Sequence, residues 1–322
     1  MRRLWLTAAL ALAAGLLAAC GGAASGPTPQ PSNTPTPVST PLATIMPTLA
    51  AGTDGNPIQF VIVSTASGRA AQTAASTLEG VLREATGLGL HVALASSDRD
   101  AVAALCAAFD GPPALAFVSA PGYSAAAALG CGLPLLLAQD SELAAREVIV
   151  IASQDSRIDD LSDVTGKTFC RLDMTDLATW QAPSLLLLAN GIAPTVALRE
   201  VVDLPDLDTL VEQVAAGDCD VAALYAADFE RIADADAQAN ITRLPQSVSL
   251  PPGVVMAARE VPLGARTAIQ EALREFARTP EGANVLRPLF GATTMVLPAS
   301  DSLAGWDAFI ARTGLDFAAF DQ

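Results

Sequence analysis

The sequence predicts an α/β protein of two lobes, on the basis of three observations. Apolar runs with the length and composition of strands alternate with runs of helical periodicity. This alternation occurs twice, and a charged, turn-rich stretch over residues 153–163 separates the two series. The segment 57–322 is also longer than a chain that folds around one hydrophobic core usually is. Together these features favour two lobes, each a mostly parallel sheet flanked by helices.

The first series alternates strictly between strand and helix. Its helical run has Leu78, Val81 and Leu82 on one face and ends at Gly87, a typical helix stop. Two strand–helix–strand units in succession predict parallel pairing, with helices covering both faces of the sheet. The predicted elements are strand 58–65, helix 72–85, strand 90–95, helix 98–108 and strand 115–119.

The second series repeats this pattern, and the remaining chain is long enough to return to the first lobe. We therefore expect lobe 1 at residues 57–150 and 253–322, lobe 2 at 151–252, and hinge strands joining them. In open α/β sheets ligands bind at the carboxyl ends of strands, so a cleft between the lobes is the expected site. The predicted elements are strands 147–152, 167–171, 199–202, 221–225 and 254–258, and helices 182–190, 207–216, 265–278 and 303–313.

The N-terminus has the pattern of an export signal. Arg2 and Arg3 precede an uncharged apolar stretch that ends in small residues at position 19. The stretch is short for a membrane span, which needs ~20 apolar residues. Leu17-Ala18-Ala19-Cys20 resembles the lipobox of bacterial lipoproteins, which implies cleavage after residue 19 and a lipid on Cys20. A secretion signal followed by a chance cysteine is the alternative.

The segment 20–56 is predicted to be a disordered tether. It consists mainly of Gly, Ala, Ser, Thr and Pro, with hardly a charge. Such a composition cannot bury enough apolar surface to offset the entropy of the chain. Its proline repeats favour an extended spacer, which would hold the folded lobes away from a membrane.

The net charge and the cysteine content indicate which partners and which cross-links the protein can have. The formal net charge of −16 argues against nucleic acid or an anionic lipid surface as partner. Apart from Cys20 the chain has four cysteines, and an even number in an exported protein predicts two disulfides with three possible connectivities. Two fall in each series, which makes the pairs Cys106–Cys131 and Cys170–Cys219 the economical choice.

Nothing in the sequence indicates a metal, a cofactor or catalysis. The single histidine, His91, lies in a predicted strand and is expected to point outward. Zinc sites need clusters of cysteine and histidine at short spacing, which this chain does not have. General acid–base or nucleophilic mechanisms need a reactive group beside an activator, and no motif places such a pair. We therefore expect a binding protein that is not an enzyme.

Several blocks resemble a known family. Asp160-Leu-Ser-Asp-Val-Thr-Gly166-Lys167-Thr168-Phe169, and the strand at 148–153 before it, are similar to segments of type II periplasmic binding proteins. Within that group the order of blocks over residues 58–278 is most similar to the phosphonate and phosphite binding proteins of ABC transporters. The resemblance implies a monomeric extracytoplasmic protein that captures a small molecule for a transporter permease. A ligand-sensing receptor or interaction module with the same fold is the alternative.

The chain departs from that family in the turn that holds the ligand. The family usually has an aspartate after the segment ending at Phe169, then a Ser-Thr-Ser-Gly turn at a helix N-terminus, where hydroxyls and amides bind oxyanions. Asp173 is kept here, but the turn positions read Asp176-Leu177-Ala178-Thr179. An aspartate near a helix N-terminus would repel a phosphonate, or it could simply cap the helix. If it repels, we expect a less charged, zwitterionic or cationic solute, or a monoanion held by Arg69 or Arg171, and not a phosphonate.

Candidate ligand contacts are polar and aromatic residues near the carboxyl ends of predicted strands. The Trp180 ring could stack on a ligand or simply pack between the lobes. Arg69 and Arg171 could pair with a carboxylate or phosphate, or lie solvated on the surface. The full set is Thr65, Ser67, Arg69, Ser119, Tyr123, Arg171, Asp173, Asp176, Thr179, Trp180, Tyr225 and Asp228.

Overall fold

A computed structural model describes residues 50–139 and 146–318, and these fold into two β-sheets flanked by helices. The predicted two-lobed α/β architecture is confirmed. The strands are β1 (Ile58–Val63), β2 (Leu90–Ala95), β3 (Ala114–Val118), β4 (Gly132–Gln139), β5 (Arg146–Ser153), β6 (Thr168–Arg171), β7 (Glu200–Asp203), β8 (Val221–Tyr225), β9 (Ile241–Leu250), β10 (Gly253–Ala258) and β11 (Thr294–Val296).

Helices alternate with these strands. They are α1 (Gly68–Thr86), α2 (Asp98–Ala107), α3 (Ala120–Leu129), α4 (Ala182–Ala189), α5 (Pro194–Ala197), α6 (Leu207–Ala216), α7 (Ala226–Ile232), α8 (Ala235–Asn240), α9 (Leu263–Phe276), α10 (Pro280–Phe290) and α11 (Ala304–Thr313). A π-helical turn (Leu177–Gln181) leads directly into α4. None of the helices in the described ranges is both long and apolar enough to cross a membrane.

The first sheet has the strand order β11-β4-β10-β3-β1-β2. β1 pairs in parallel with β2 and β3, as the two strand–helix–strand units predict. β10 lies between β3 and β4 and is antiparallel to both, so the sheet is mixed. The late strand therefore returns to the first sheet and buries its apolar residues at the centre.

The second sheet has the order β7-β6-β8-β5-β9. β6 is parallel to β7 and β8, whereas β5 is antiparallel to β8 and β9. The chain enters this sheet between β4 and β5 and leaves it between β9 and β10, where Pro251 and Pro252 connect the strands. The expected change of lobe after residue 150 falls inside β5, which pairs within the second sheet from Arg146 onward.

Several predicted elements match closely, and others were missed. The bounds of β2, α6 and β8 are those that periodicity predicts. α3 was missed because all its residues from Ala120 to Ala126 are buried, which leaves no polar face to reveal the helical period. β9 was missed because it contains Pro245 and several polar residues, and it lies at the edge of its sheet.

The described chain begins with a turn that packs on the first sheet. Gly89 N donates to Gly52 O over 2.7 Å, and Thr53 and Asn56 form an isolated bridge. Gly52 has a φ of +81°, which lets the chain reverse there. Residues 50–56, expected to end the tether, thus belong to the folded unit. The expected signal 1–19, the rest of the tether and Cys20 lie outside the described residues.

Both disulfides pair as the sequence suggests. Cys106 in α2 bonds Cys131 just before β4, with the Cα atoms 4.7 Å apart. Cys170 in β6 bonds Cys219 just before β8, with the Cα atoms 6.0 Å apart. His91 points outward from β2, and its Nδ1 lies 3.0 Å from Glu79 Oε2.

Candidate functional site

A cavity of about 180 Å³ lies between the two sheets, at the carboxyl ends of β1 and β3. Val63 and Thr65 reach it from the first strand, and Ser119 reaches it from the third. The second sheet contributes Tyr225 at the end of β8, and the return connection contributes Pro251. The cavity therefore occupies the cleft that the topology predicts. We call it the cleft below.

The walls of the cleft are mainly apolar. Phe117 and Phe290 meet edge to face, with ring centroids 4.7 Å apart. Leu177, from the π-helical turn, closes the side formed by the second lobe. Gly253 lets the Phe117 ring lie against the connecting backbone, since a Cβ at that position would be 2.3 Å from Phe117 Cζ. Such walls favour a small solute with a compact apolar part.

Arg146 supplies the positive charge of the cleft. It is the one charged side chain that lines the cavity among the residues the structure describes. Its guanidinium donates to Gly291 O over 3.2 Å and lies 5.6 Å from the centroid of the Tyr225 ring. Burial raises the pKa of Tyr225, and the charge of Arg146 opposes that rise. Tyr225 is therefore a neutral hydroxyl beside an exposed cation at neutral pH.

Two hydroxyls of the cleft cap the end of a helix. Ser64 Oγ and Thr65 Oγ1 donate to Pro288 O, over 2.9 and 3.1 Å. Ala66 N donates to the same carbonyl over 3.0 Å. The last carbonyls of α10 have no partner within the helix, so the loop after β1 satisfies them.

Ser119 is held by a carboxyl beneath the cleft. Its N–H donates to Asp98 Oδ1 over 2.9 Å, and its hydroxyl donates to Asp98 Oδ2. Asp98 is the first residue of α2 and is partly buried. Desolvation raises the pKa of the Asp98 carboxyl, against the two hydrogen bonds from Ser119, which lower it.

Of the expected ligand contacts, Thr65, Ser119 and Tyr225 line the cleft together. The others do not line it, although the charges of Asp176 and Asp228 lie near enough to Tyr225 to help raise the pKa of its hydroxyl. Ser67 precedes α1 without capping it through its side chain, and Arg69 lines a separate shallow groove between α1 and α10. Asp228 pairs with Arg231 over 3.0 Å. Buried Tyr123 donates to Asp307 Oδ2 over 3.4 Å, and burial with that acidic neighbour raises its pKa to about 12.

The altered turn is closed by its own hydrogen bonds. Asp176 Oδ1 accepts from Thr179 N and from Thr179 Oγ1, each over 2.7 Å, so Asp176 caps the π-helical turn. Asp173 Oδ1 accepts from Thr175 N and Oγ1 over 2.6 Å, which lowers the pKa of the Asp173 carboxyl. Leu177 is the residue of this turn that reaches the cleft.

Arg171 and Trp180 form a pair away from the cleft. Arg171 Nε donates to Asp203 Oδ1 over 2.6 Å, and its guanidinium lies 4.4 Å from the centroid of the Trp180 ring. The same ring packs edge to face on Phe169, with centroids 5.6 Å apart. Trp180 and Arg171 are thus engaged with each other and with the lobe that contains them.

Sequence reasoning missed Arg146, Leu177, Phe117 and Phe290. Arg146 begins an antiparallel strand that enters the second sheet, so a rule based on the carboxyl ends of parallel strands does not select it. Phe290 precedes Gly291, whose φ of +63° ends α10. That helix stop was a readable signal, but α10 itself was not predicted. In the described part of the chain, no group of histidine, cysteine and acidic residues could hold a metal ion.

Comparisons with known proteins agree with this fold. Residues 60–303 match the model of a family described as ABC transporter, phosphonate, periplasmic substrate-binding protein. No curated sequence matches the chain. Among the many solved structures that share the fold, three illustrate it at low sequence identity.

One is XAC2383 from Xanthomonas citri bound to chloride ion, with a TM-score of 0.60 and 16% identity, covering 80% of this chain and 96% of that one. A second is a binding protein component of ABC phosphonate transporter (PA3383) from Pseudomonas aeruginosa, with a TM-score of 0.55, 18% identity and coverage of 83% and 93%. The third is PhnD1 from Prochlorococcus marinus in complex with methylphosphonate, with a TM-score of 0.50, 11% identity and coverage of 79% and 96%.

Proposed function

This chain belongs to the periplasmic substrate-binding proteins of phosphonate-type ABC transporters, and from that premise we propose that it captures a small monoanion in the cleft and delivers it to a transporter permease. The main support is Arg146, a single cation in a small and largely apolar cavity. A guanidinium offers paired donors that match a carboxylate or a similar planar anion. We propose further that the protein acts outside the cell membrane and is tethered by a lipid on Cys20.

The cleft offers little to a phosphonate dianion. Leu177 stands where the family usually has a hydroxyl donor, and Asp176 gives its carboxylate to its own helical turn. One cation, Arg146, would face two negative charges. A monoanion matches the charge of the cleft, whereas a dianion would keep one charge without a partner.

Calorimetry on the purified protein tests the ligand class. The titrants are methylphosphonate, phosphate, acetate and propionate, and the variant Arg146→Gln removes the cation. A hydrogen bond to a charged group contributes ~1.5–3 kcal/mol, so the variant should bind monoanions ~10–100-fold more weakly. Arg69→Gln is the matched control, because Arg69 lines the groove between α1 and α10 and not the cleft. Submicromolar binding of methylphosphonate, unaffected by Arg146→Gln, would show that the proposed ligand class is wrong.

Cell fractionation tests the anchor. A diacylglyceryl group supplies two acyl chains, which is the number needed for stable attachment. The unchanged protein should therefore be recovered with membranes, and Cys20→Ser should move it to the soluble fraction. Recovery of the unchanged protein mainly in the soluble fraction, without lipid, would refute the anchor.

A further inference from the structure

The hydrogen-bonding groups of the cleft differ in what they can offer a ligand. A carbonyl oxygen only accepts, so the hydroxyls of Ser64 and Thr65 donate their single protons to Pro288 O. That carbonyl belongs to α10, so both protons are used by the protein. What these two side chains present to a solute is oxygen lone pairs.

Ser119 also presents only a hydrogen-bond acceptor to the cleft, because its donors are used by a carboxyl. Its N–H and its hydroxyl both donate to the carboxyl of Asp98. The Ser119 oxygen can then only accept from a solute in the cleft. Three of the cleft hydroxyls, at the ends of the two neighbouring strands β1 and β3, are therefore acceptors, while Arg146 is the donor for the anion.

Helix α10 adds to this polarity. Its C-terminal end, which carries partial negative charge, meets the cleft at Ser64 and Thr65. A group with an N–H or O–H is favoured there, and a second anionic group is disfavoured. The Arg146 guanidinium already donates to Gly291 O at the same helix end, so the anion of the ligand and its donor lie close together.

We infer that the ligand is a short carboxylate with an O–H or N–H donor next to the carboxylate, as in a small hydroxy acid or amino acid. The inference rests on the proposed function, namely that a single anionic group binds Arg146 in the cleft; in an amino acid that group is the carboxylate, and the ammonium is the neighbouring donor. In this arrangement the carboxylate contacts Arg146 and Tyr225. The neighbouring donor contacts the oxygen atoms of Thr65, Ser64 or Ser119, and the compact apolar part packs on Phe117, Phe290 or Leu177.

Matched ligand pairs test the inference on the unchanged protein. L-Lactate and L-alanine each differ from propionate by one donor group. By calorimetry at neutral pH, at least one of them should bind about tenfold or more tightly than propionate, the equivalent of ~1.4 kcal/mol. If alanine gains and lactate does not, the donor is an ammonium, and the reverse result assigns a hydroxyl. Propionate binding as tightly as both would overturn the inference.

Two variants locate the acceptor. Thr65→Val keeps the shape and removes the oxygen, so it should abolish most of the preference for the donor-bearing ligand over propionate. Thr77→Val is the matched control, because Thr77 Oγ1 also donates to a carbonyl, Thr73 O at 3.0 Å, on α1 outside the cleft. If Thr65→Val unfolds the protein, Asp98→Asn replaces it.

Asp98→Asn should reverse the role of Ser119. The new amide can donate to Ser119 Oγ, which frees the hydroxyl proton to point into the cleft. Binding of propionate should then strengthen, and the preference for the donor-bearing ligand should shrink. Asp100→Asn is the control, because Asp100 lies on the same helix and accepts from Ser96 and Ser97, away from the cleft. An unchanged preference in both Thr65→Val and Asp98→Asn would overturn the inference.

The outcomes separate this inference from the proposed function. If carboxylates bind and Arg146→Gln weakens them, but donors on the ligand make no difference, the inference fails and the proposed function stands. If no carboxylate binds, or Arg146→Gln changes none of the affinities, the cleft is not a monoanion site. Both proposals are then rejected.

Discussion

Replacing Asp98 separates the effect of its charge from that of its hydrogen bonds. The Asp98 carboxyl accepts Ser119 N over 2.9 Å and the Ser119 hydroxyl. Asparagine has the same shape and can keep both contacts, with its amide nitrogen donating to Ser119 Oγ. Alanine loses both, and an unpaired buried donor costs ~1–3 kcal/mol. Because the site is only partly buried, water replaces part of the loss.

The expected effect of Asp98→Ala is therefore a loss of about 1–3 kcal/mol of unfolding free energy. For a folded unit of this size that corresponds to a fall in Tm of ~3–10 °C. Asp98→Asn should be as stable as the unchanged protein at pH 7, or more stable, because it avoids desolvating a charge. Thermal unfolding of the three proteins side by side measures both differences.

The pH dependence gives the sign of the charge effect. Burial raises the pKa of Asp98 above the ordinary value of 3.8. The folded state therefore holds the proton at a pH where the unfolded chain has released it, and stability falls as pH rises through that interval. The advantage of Asp98→Asn should appear above it and vanish below pH 3.8. Asp100→Asn should behave oppositely, because hydrogen bonds from Ser96 and Ser97 lower the pKa of Asp100. An Asp98→Asn variant as unstable as Asp98→Ala at pH 7 would refute this account.

Two further predictions concern the cleft and its surroundings. Gly253→Ala places a Cβ 2.3 Å from Phe117 Cζ, so the ring must move, and thermal unfolding should show a loss of ~1–3 kcal/mol in the free energy of unfolding. The control is Gly264→Ala in α9, where a Cβ would meet nothing within 4 Å, so this variant should be neutral or stabilising. Equal stability of the two variants would contradict the close approach. Both tyrosines of the chain have raised pKa values, so tyrosinate absorbance should not appear in the folded protein as pH passes 10, and stability should fall there because the unfolded chain ionises first. Ionisation at pH 10 without unfolding would refute this prediction.

The fold was predictable where local pattern and tertiary environment agree. β2 alternates between buried and exposed residues, and α6 buries Leu210, Val211 and Val214 on one face, so periodicity gives their bounds. α3 is buried on all sides, and β10 reaches the first sheet from far along the chain. Neither that burial nor that pairing is encoded in a local window. The mixed sheets follow from these distant strands.

The site was predictable in part for the same reason. Thr65 and Ser119 follow strands that pair in parallel with neighbours, so the rule of carboxyl strand ends selects them. Arg146 starts an antiparallel strand, and its place in the cleft depends on β5 pairing with β8. Arg171 carries the same guanidinium group, but it forms an ion pair with Asp203 and lies over the Trp180 ring. Charge alone could not distinguish the two arginines, because the difference lies in their tertiary partners.

The turn at residues 176–179 was the reason to expect weak phosphonate binding, and the structure gives Asp176 a role as a helix cap. From sequence, Asp176 could repel a phosphonate or cap a helix, and the structure shows the cap, since both the N–H and the hydroxyl of Thr179 donate to it. Its carboxylate is thereby hydrogen-bonded within its own turn and does not line the cavity, although its charge acts on Tyr225 at the cavity wall. Leu177 takes the cleft-facing position, so the turn presents no side-chain hydroxyl to an oxyanion there. Weak phosphonate binding would then follow from the missing side-chain hydroxyls on this side of the cleft, and the charge of Asp176 near Tyr225 would add to it.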